Sequence, residues 1–252
     1  MMQRSFHILG VHVDAVQIPN VIRQMEDWIA NGRTCHSIVF AGLHSISEAN
    51  RDSRFKTIVN GADLVVADGM PLVWLGRFHG HSMRRRVYGP ETMETFCRET
   101  RSRYRHFFYG GASGVAAILA ENLREKFHIV VAGTYSPPFR ELTEDEDRAL
   151  VDRVNEAAPD VLWVGLGAPK QERWMQEHRT LLRVPVLLGV GAAFNFNSGI
   201  VRQAPVWMRE SGLEWFFRLL TEPRRLWKRY LIAIPSAIWS ISLEIAQLRK
   251  FE

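Results

Sequence analysis

Cysteine is scarce in this chain of 252 residues, which contains only Cys35 and Cys97. Two cysteines cannot build a disulfide framework or a zinc site by themselves, so we expect reduced core residues in a reducing compartment. The nine histidines show no HExxH or other tight ligand spacing. The acidic run 145–147 resembles a DxD metal motif, but it falls in the first turn of a predicted helix, where acids complement the dipole. The sequence predicts no metal site and no cofactor.

Long apolar runs are also missing. The longest stretch, 231–243, contains a proline and falls short of the roughly 20 residues that a membrane-spanning helix needs. The first residues carry no apolar signal core ahead of the first strand-like run. We therefore expect neither secretion nor a spanning helix, and peripheral contact is the remaining way to reach a membrane.

Charge of one sign is only weakly in excess, with 32 Lys and Arg against 27 Asp and Glu. The net charge of +5 permits an anionic partner without choosing among phosphate ligands, lipids and nucleic acid. Because the chain contains no recognised nucleic-acid module, we predict no nucleic-acid partner.

Short apolar runs alternate with helical patterns over nearly the first 200 residues. The runs lack in–out alternation, which is typical of parallel strands buried on both faces. The predicted strands are 8–13, 37–41, 64–67, 106–109, 129–132, 161–164 and 186–190. The predicted helices are 19–31, 44–60, 71–78, 90–102, 113–126, 143–157 and 169–181. This alternation predicts an α/β fold with a Rossmann-like, mostly parallel sheet flanked by helices.

The composition changes near Gly199. Residues 202–252 contain nine Lys or Arg against five Asp or Glu, several tryptophans and no further strand signal. We predict two domains, an α/β domain over 1–199 and a basic, aromatic-rich helical C-terminal appendage over 200–252. A helix with one aromatic face and one basic face can lie on an anionic membrane surface, although a solvated charged face is the ordinary alternative.

Glycine turns follow four predicted strands, at 67–69, 109–111, 165–167 and 189–191. Ligands of open parallel sheets bind beyond the carboxyl ends of the strands, where backbone amides and helix N-termini favour phosphate. No GxxxxGK[ST] motif is present, and Lys170 stands where a dinucleotide fingerprint needs a third glycine. The four turns predict a ligand-binding edge. The failed fingerprint disfavours an NAD(P)-dependent oxidoreductase, which we keep as the main alternative.

Asp68 follows a predicted strand and precedes Gly69 and Pro71. A carboxylate at a strand tip is well placed as a general base, and it is equally suited to cap the helix that Pro71 begins. Farther along the chain, Lys170, Gln171 and Glu172 offer a cation, an amide and an acceptor to a nucleotide. The alternative for these three residues is an ordinary solvated helix start.

The glycine turns, Asp68 and the tail belong to a larger pattern. In the order in which they occur, they resemble motifs of the bacterial WecG/TagA/CpsF glycosyltransferases, glycosyltransferase family 26, over roughly residues 36–235. The matching blocks are 60–64 (NGADL), 67–74 (ADGMPLVW), 86–90 (RVYGP), 109–111 (YGG), 165–174 (GLGAPKQERW), 189–194 (GVGAAF), 212–215 (GLEW) and 218–227 (RLLTEPRRLW).

The resemblance implies an inverting, metal-independent transfer of a sugar from UDP to a polyprenyl-diphosphate-linked saccharide in cell-surface or exopolysaccharide biosynthesis. The sugar would be N-acetylmannosamine, its uronic acid or glucose. It also implies Asp68 as general base and a peripheral location on the cytoplasmic face of the membrane. We assign nucleotide-sugar binding to Gly69, Tyr109, Gly110, Gly111, Gly167, Lys170, Gln171, Glu172, Gly191 and Asn195. We assign binding of the acceptor diphosphate to Arg86, Arg218, Arg224 and Arg225.

Two departures from the family pattern stand out. Residues 40–42 read Phe-Ala-Gly where many members carry Thr-x-Asn, and Asn195 replaces an aspartate. An amide cannot act as a base or carry charge at neutral pH, so we expect the departures to alter substrate choice. A non-catalytic nucleotide-binding protein is the second alternative. Burial of the tail's aromatic face would also favour a homo-oligomer.

Overall fold

The computed structural model describes residues 5–32, 34–228, 231 and 234–246, without the side chains of Arg225 and Lys228. Its strands are β1 Ser5–Ile8, β2 Val11–Asp14, β3 His36–Ala41, β4 Leu64–Ala67, β5 Arg105–Gly110, β6 Val130–Tyr135, β7 Val161–Gly165 and β8 Val186–Gly189. Its helices are α1 Ile18–Asn31, α2 Leu43–Arg51, α3 Ser53–Asn60, α4 Met70–Phe78, α5 Gly89–Thr100, α6 Val115–Phe127, α7 Glu144–Ala157, α8 Lys170–His178, α9 Ala193–Asn197, α10 Val206–Glu210, α11 Glu214–Thr221, α12 Pro223–Lys228 and α13 Ile234–Ile245.

The chain folds into two compact units. Unit 1 comprises Met1–Gln17, Phe40–Tyr88 and Gln203–Glu252, and unit 2 comprises Ile18–Val39 and Gly89–Arg202. The pairs β2–β4, β3–β8, β5–β6, β5–β7 and β7–β8 are parallel, β1 and β2 are antiparallel, and helices connect most of the strands. The predicted Rossmann-like, mostly parallel α/β fold is therefore confirmed, while the domain boundary at 199/200 stays a prediction.

Unit 2 holds a parallel sheet with the strand order β3-β8-β7-β5-β6. Its core is aromatic, and Trp163, Phe108 and Phe194 are fully buried. The indole N–H of Trp163 donates to Nδ1 of His106 over 3.0 Å. Burial lowers the pKa of His106 to about 4, so this core histidine stays neutral.

In unit 1, β1 and β2 form an antiparallel hairpin, and β2 pairs with β4 in parallel. The prediction of one strand over 8–13 was wrong, because Leu9 and Gly10 make a tight turn with φ values of 51° and 76°. Positive φ at both central residues is the requirement of the hairpin turn that matches strand twist. A leucine in this position gave no turn signal.

Two further predictions need correction. The helix expected over 44–60 is divided into α2 and α3 at Asp52, whose carboxylate accepts from the backbone N–H groups of Arg54 and Phe55 over 2.9 and 3.1 Å. Asp52 therefore caps a new helix. Cys97 is buried as predicted, but Cys35 is only half-buried and is not a core residue.

The segment from residue 203 onward groups with unit 1, and its described part contains the helices α10 to α13. Helix α13 packs on α2, and the Glu244 carboxylate accepts from the Leu9 backbone N–H over 3.0 Å. Trp207, Trp215 and Trp239 are exposed. Within the described ranges, no helix is both long enough and apolar enough to cross a membrane.

Candidate active site

In unit 1, the buried strand β4 ends at Asp68. The Asp68 backbone N–H donates to the carbonyl of Ala41 over 2.8 Å, and the Val87 N–H donates to the carbonyl of Ala67 over 2.8 Å. The N-cap of α4 is Gly69, and it receives no side-chain cap bond. Gly69, rather than Asp68, therefore occupies the N-cap position of α4. The backbone bond of Val87 places Arg86 near the tip of the same strand.

Arg86 lies in a network of charged and aromatic groups. Its guanidinium donates to the Glu214 carboxylate and lies 3.9 Å from the centre of the Tyr88 ring. The Tyr88 hydroxyl donates to Glu214 over 3.1 Å. Burial opposes the charge of Arg86, but the negative charges of Glu214 and Asp68 outweigh it and raise its pKa. Arg86 therefore stays a cation beside Asp68.

Further arginines of unit 1 differ in their surroundings. The Arg209 guanidinium lies 6.0 Å from the centre of the Tyr88 ring, and its buried Nε has no hydrogen-bond partner within the described residues. Arg218 lies 3.9 Å from the carboxylate of Glu222, and both are largely buried. Arg224 is exposed on α12. The side chain of the predicted site residue Arg225 lies outside the described residues.

Unit 2 brings three of the predicted glycine turns together. Gly110 has a φ of 132°, and a Cβ placed there would lie 2.5 Å from the carbonyl carbon of Gly165. The Gly111 N–H donates to the Gly165 carbonyl over 3.1 Å. A Cβ on Gly191 would lie 3.7 Å from the Cα of Gly167. Gly167 itself has a φ of 80° and open space where a Cβ would stand, so the turn is open on that side.

Gln171 fastens two of these turns to each other. Its Oε1 accepts from the Gly167 backbone N–H over 3.1 Å, and its Nε2 donates to the Gly189 carbonyl over 2.7 Å and to Glu172 over 2.9 Å. These bonds use both N–H donors of the amide. Gln171 and Glu172 are buried, whereas Lys170 is exposed at the start of α8. Of the three residues, Lys170 alone presents its side chain to solvent.

Two other predicted donor-binding residues have different settings. Tyr109 is buried against the Trp174 ring, with centroids 4.6 Å apart, and burial raises its pKa. Asn195 is half-buried on α9, and its backbone carbonyl accepts from the Val201 N–H over 3.1 Å. Among the described residues, no group of three His, Cys, Asp or Glu could hold a metal ion.

Sequence reasoning missed four residues beside these sites. Tyr88 and Glu214 lie 126 positions apart, and no local spacing links them. In unit 2, the Ser136 hydroxyl donates to the Gly110 carbonyl over 3.1 Å, and Phe139 is 98% exposed in the same loop. The Ser-Pro-Pro-Phe run directly after β6 was the available signal for the last two residues.

Comparison with known proteins identifies relatives over most of the chain. A protein of Bacillus spizizenii is 29% identical over 195 residues, which is 77% of this chain and 74% of the relative. A protein of Staphylococcus aureus is 25% identical over 244 residues, covering 96% of this chain and 94% of the relative. Both are named N-acetylglucosaminyldiphosphoundecaprenol N-acetyl-beta-D-mannosaminyltransferase.

The family profile described as Glycosyl transferase WecG/TagA/CpsF family matches residues 6–251. The match includes both compact units and all the predicted site residues. The resemblance seen in the sequence is thus confirmed: the chain belongs to the WecG/TagA/CpsF family of glycosyltransferases.

Proposed function

We propose that the protein is an inverting, metal-independent glycosyltransferase that moves a sugar from UDP to a polyprenyl-diphosphate-linked saccharide in cell-surface or exopolysaccharide biosynthesis. The names of the two relatives favour N-acetylmannosamine as the sugar and N-acetylglucosaminyl-diphosphoundecaprenol as the acceptor, over a uronic acid or glucose donor. The observation that carries the proposal is Asp68 at the tip of β4, beside the cation Arg86, in a chain of this family.

Asp68 acts as the general base in this mechanism. The acceptor hydroxyl oxygen attacks the anomeric carbon from the face opposite UDP, and the Asp68 carboxylate takes the hydroxyl proton as the new bond forms. Attack from the opposite face inverts the configuration at that carbon. The position of Asp68 directly after a buried strand supports this role, because a rigid element holds the carboxylate in place.

The leaving group is UDP, which gains negative charge as its bond to the sugar breaks. Fixed donors and cations stabilise developing charge without reorganising. In unit 2, the exposed Lys170 follows the turn at Gly167, which is open where a Cβ would stand, and its cation is suited to the donor's diphosphate. We assign the same task to the turn at Gly110 and Gly111. These groups supply the positive charge that a metal ion supplies in other transferases.

The acceptor remains in the membrane through its polyprenyl chain. We propose that Arg86, Arg218, Arg224 and Arg225 of unit 1 bind its diphosphate, since guanidinium groups match phosphate oxygens in pairs. The exposed Trp207, Trp215 and Trp239 would rest on an anionic membrane surface, on its cytoplasmic face. Contact with the membrane would place the appendage and its arginines close to the membrane-anchored acceptor.

UDP release by the full-length protein tests the proposal. The protein is supplied with membranes containing the lipid-linked acceptor and with a panel of UDP-sugars. We expect release that depends on the acceptor and on one donor. Asp68→Asn should lower the rate by roughly 100-fold to 10,000-fold, because the amide cannot take a proton. Asp63→Asn, at the other end of the same strand, is the matched control and should retain the rate.

Equal rates for wild type and Asp68→Asn would remove Asp68 as the base. Absence of release with every UDP-sugar, together with binding of UDP, would contradict the transferase and favour a non-catalytic nucleotide-binding protein. Oxidation or reduction of a nicotinamide cofactor would favour the oxidoreductase, which family membership argues against.

A further inference from the structure

Two consecutive arginines of unit 1 form ion pairs with two glutamates of the C-terminal segment. Arg85 donates to Glu210 over 2.7 Å, and their side chains are 58% and 53% exposed. Arg86 donates to Glu214, and their side chains are 13% and 11% exposed. The pairs have the same chemistry and nearly the same position in the chain. They differ in burial, and an exposed pair contributes little to holding a side chain in one conformation.

The Glu214 carboxylate has a second partner besides Arg86. The Tyr88 hydroxyl donates to it over 3.1 Å, while the Tyr88 ring lies 3.9 Å from the guanidinium carbon of Arg86. Burial, together with the negative charge of Glu214, raises the pKa of Tyr88, so its hydroxyl keeps the proton that it donates. The Arg86 guanidinium is therefore restrained by its hydrogen bond to Glu214 and by its contact with the Tyr88 ring.

We infer that Glu214 is a positioning residue, which with Tyr88 holds the Arg86 guanidinium ready for the phosphate oxygens of the acceptor diphosphate. The inference rests on the proposed function only for the identity of the ligand of Arg86. It gives the C-terminal segment a second task, since that segment supplies a carboxylate that orders a cation of another segment. This role differs from those proposed for the diphosphate-binding arginines and for Asp68.

An arginine side chain has several rotatable bonds, and fixing them in advance removes an entropic cost from ligand binding. Without the Glu214 carboxylate, the Arg86 guanidinium would retain the Tyr88 ring but lose its charged hydrogen-bond acceptor. It would then also be drawn toward Asp68, whose charge already acts on it. Both effects withdraw the guanidinium from an incoming phosphate.

The first test measures binding of inorganic pyrophosphate to the full-length protein by calorimetry. Glu214→Ala should weaken binding about tenfold, the effect of releasing one long side chain. Glu214→Gln retains an acceptor oxygen for Arg86 and should stay within about threefold of wild type. Glu210→Ala removes the exposed counterpart and should leave the affinity unchanged. Circular dichroism confirms that each variant is folded.

The second test uses transfer kinetics and a double-mutant cycle with Arg86→Lys. We expect Glu214→Ala to raise the KM for the lipid-linked acceptor about tenfold, with a smaller change in kcat. In the Arg86→Lys background, the same substitution should change the KM less than twofold, because Glu214 acts through Arg86. A structural role would give equal effects in both backgrounds.

Three results would overturn the inference: additive effects in the cycle, pyrophosphate binding by Glu214→Ala as tight as in wild type, or identical behaviour of Glu214→Ala and Glu210→Ala. Failure of the proposed function has a different signature. In that case wild type transfers no sugar with any donor, while pyrophosphate binding still depends on Glu214 and Arg86.

Discussion

The candidate sites of the two compact units are built in opposite ways. Unit 2 offers backbone, with glycine turns packed so tightly that a Cβ on Gly110 would lie 2.5 Å from Gly165. Unit 1 offers side chains, with Asp68, Arg86 and Glu214 held by charge and by hydrogen bonds. The geometry of unit 2 is thus sensitive to added atoms. The geometry of unit 1 is sensitive to the loss of polar atoms.

This difference decides where a substitution acts. In a close-packed glycine turn, a substitution acts by adding volume or charge, and it lowers the free energy of unfolding. Removal of one side chain from a charged network affects the free energy of unfolding less, and it lowers ligand affinity or reaction rate instead. Three predictions, ordered by expected effect on stability, probe this division.

The largest effect is expected from Gly110→Ala in unit 2. The new methyl would meet the carbon, oxygen and Cα of Gly165 at 2.5, 2.6 and 2.8 Å, and backbone cannot move aside as a flexible side chain can. We expect a loss of more than about 4 kcal/mol or failure to fold, measured by chemical denaturation.

Gly114→Ala is the matched control for this substitution, since Gly114 has a φ of 80° and open space where the Cβ would stand. It should cost only about 1–2 kcal/mol, the strain of a left-handed residue. If both substitutions cost the same, close packing is not what distinguishes the turns of unit 2.

An intermediate effect is expected from Gln171→Glu, which adds charge without adding volume. The new carboxylate would face the Gly189 carbonyl and the Glu172 carboxylate in place of the two hydrogen bonds that the amide donates there. We expect a loss of about 3 kcal/mol in unfolding free energy, because one oxygen of a buried carboxylate would face two hydrogen-bond acceptors. Gln176→Glu, exposed on the same helix, should change stability by less than about 0.5 kcal/mol. An equal loss of unfolding free energy in both variants would contradict the role of the Gln171 hydrogen bonds in holding the turns together.

The smallest effect on stability is expected from Tyr88→Phe in unit 1. It removes one hydrogen bond to Glu214 and keeps the ring on which Arg86 rests, so the loss should be about 1 kcal/mol. Tyr104→Phe is the control, because its hydroxyl lies 3.5 Å from Glu26 and makes a weak contact. If Tyr88→Phe lowered the free energy of unfolding as much as Gly110→Ala, the proposed difference between the two units would be contradicted.

The elements of the fold that the sequence predicted correctly have local sequence patterns. Apolar runs such as 161–164 and 186–190 correspond to buried central strands, because a strand covered on both faces leaves an unbroken apolar signature. The capping box at Thr143 and Glu146 was visible in the sequence, and both of its hydrogen bonds form. The Leu9–Gly10 hairpin escaped prediction because its first turn residue is not one that favours positive φ.

For the candidate sites, the sequence located residue types at strand ends and missed what holds them. Asp68 and the glycine turns follow strands, so topology alone places them. The bonds from Glu214 to Arg86 and Tyr88 join residues more than 120 positions apart, and no periodicity encodes such a contact. The use of both Gln171 N–H groups within the protein is equally invisible before the chain is folded.

The division of unit 1 into three chain segments has a consequence for synthesis. Every segment of unit 2 has been translated by residue 202, whereas unit 1 also needs residues from 203 onward, which are translated later. At a typical elongation rate of about 5–20 residues per second, Arg86 and Tyr88 are translated roughly 6–25 seconds before Glu214. A nascent chain that ends before Glu214 therefore carries the Asp68 carboxylate without the ordered cation beside it, and the complete charged network arises only after Glu214 has been translated.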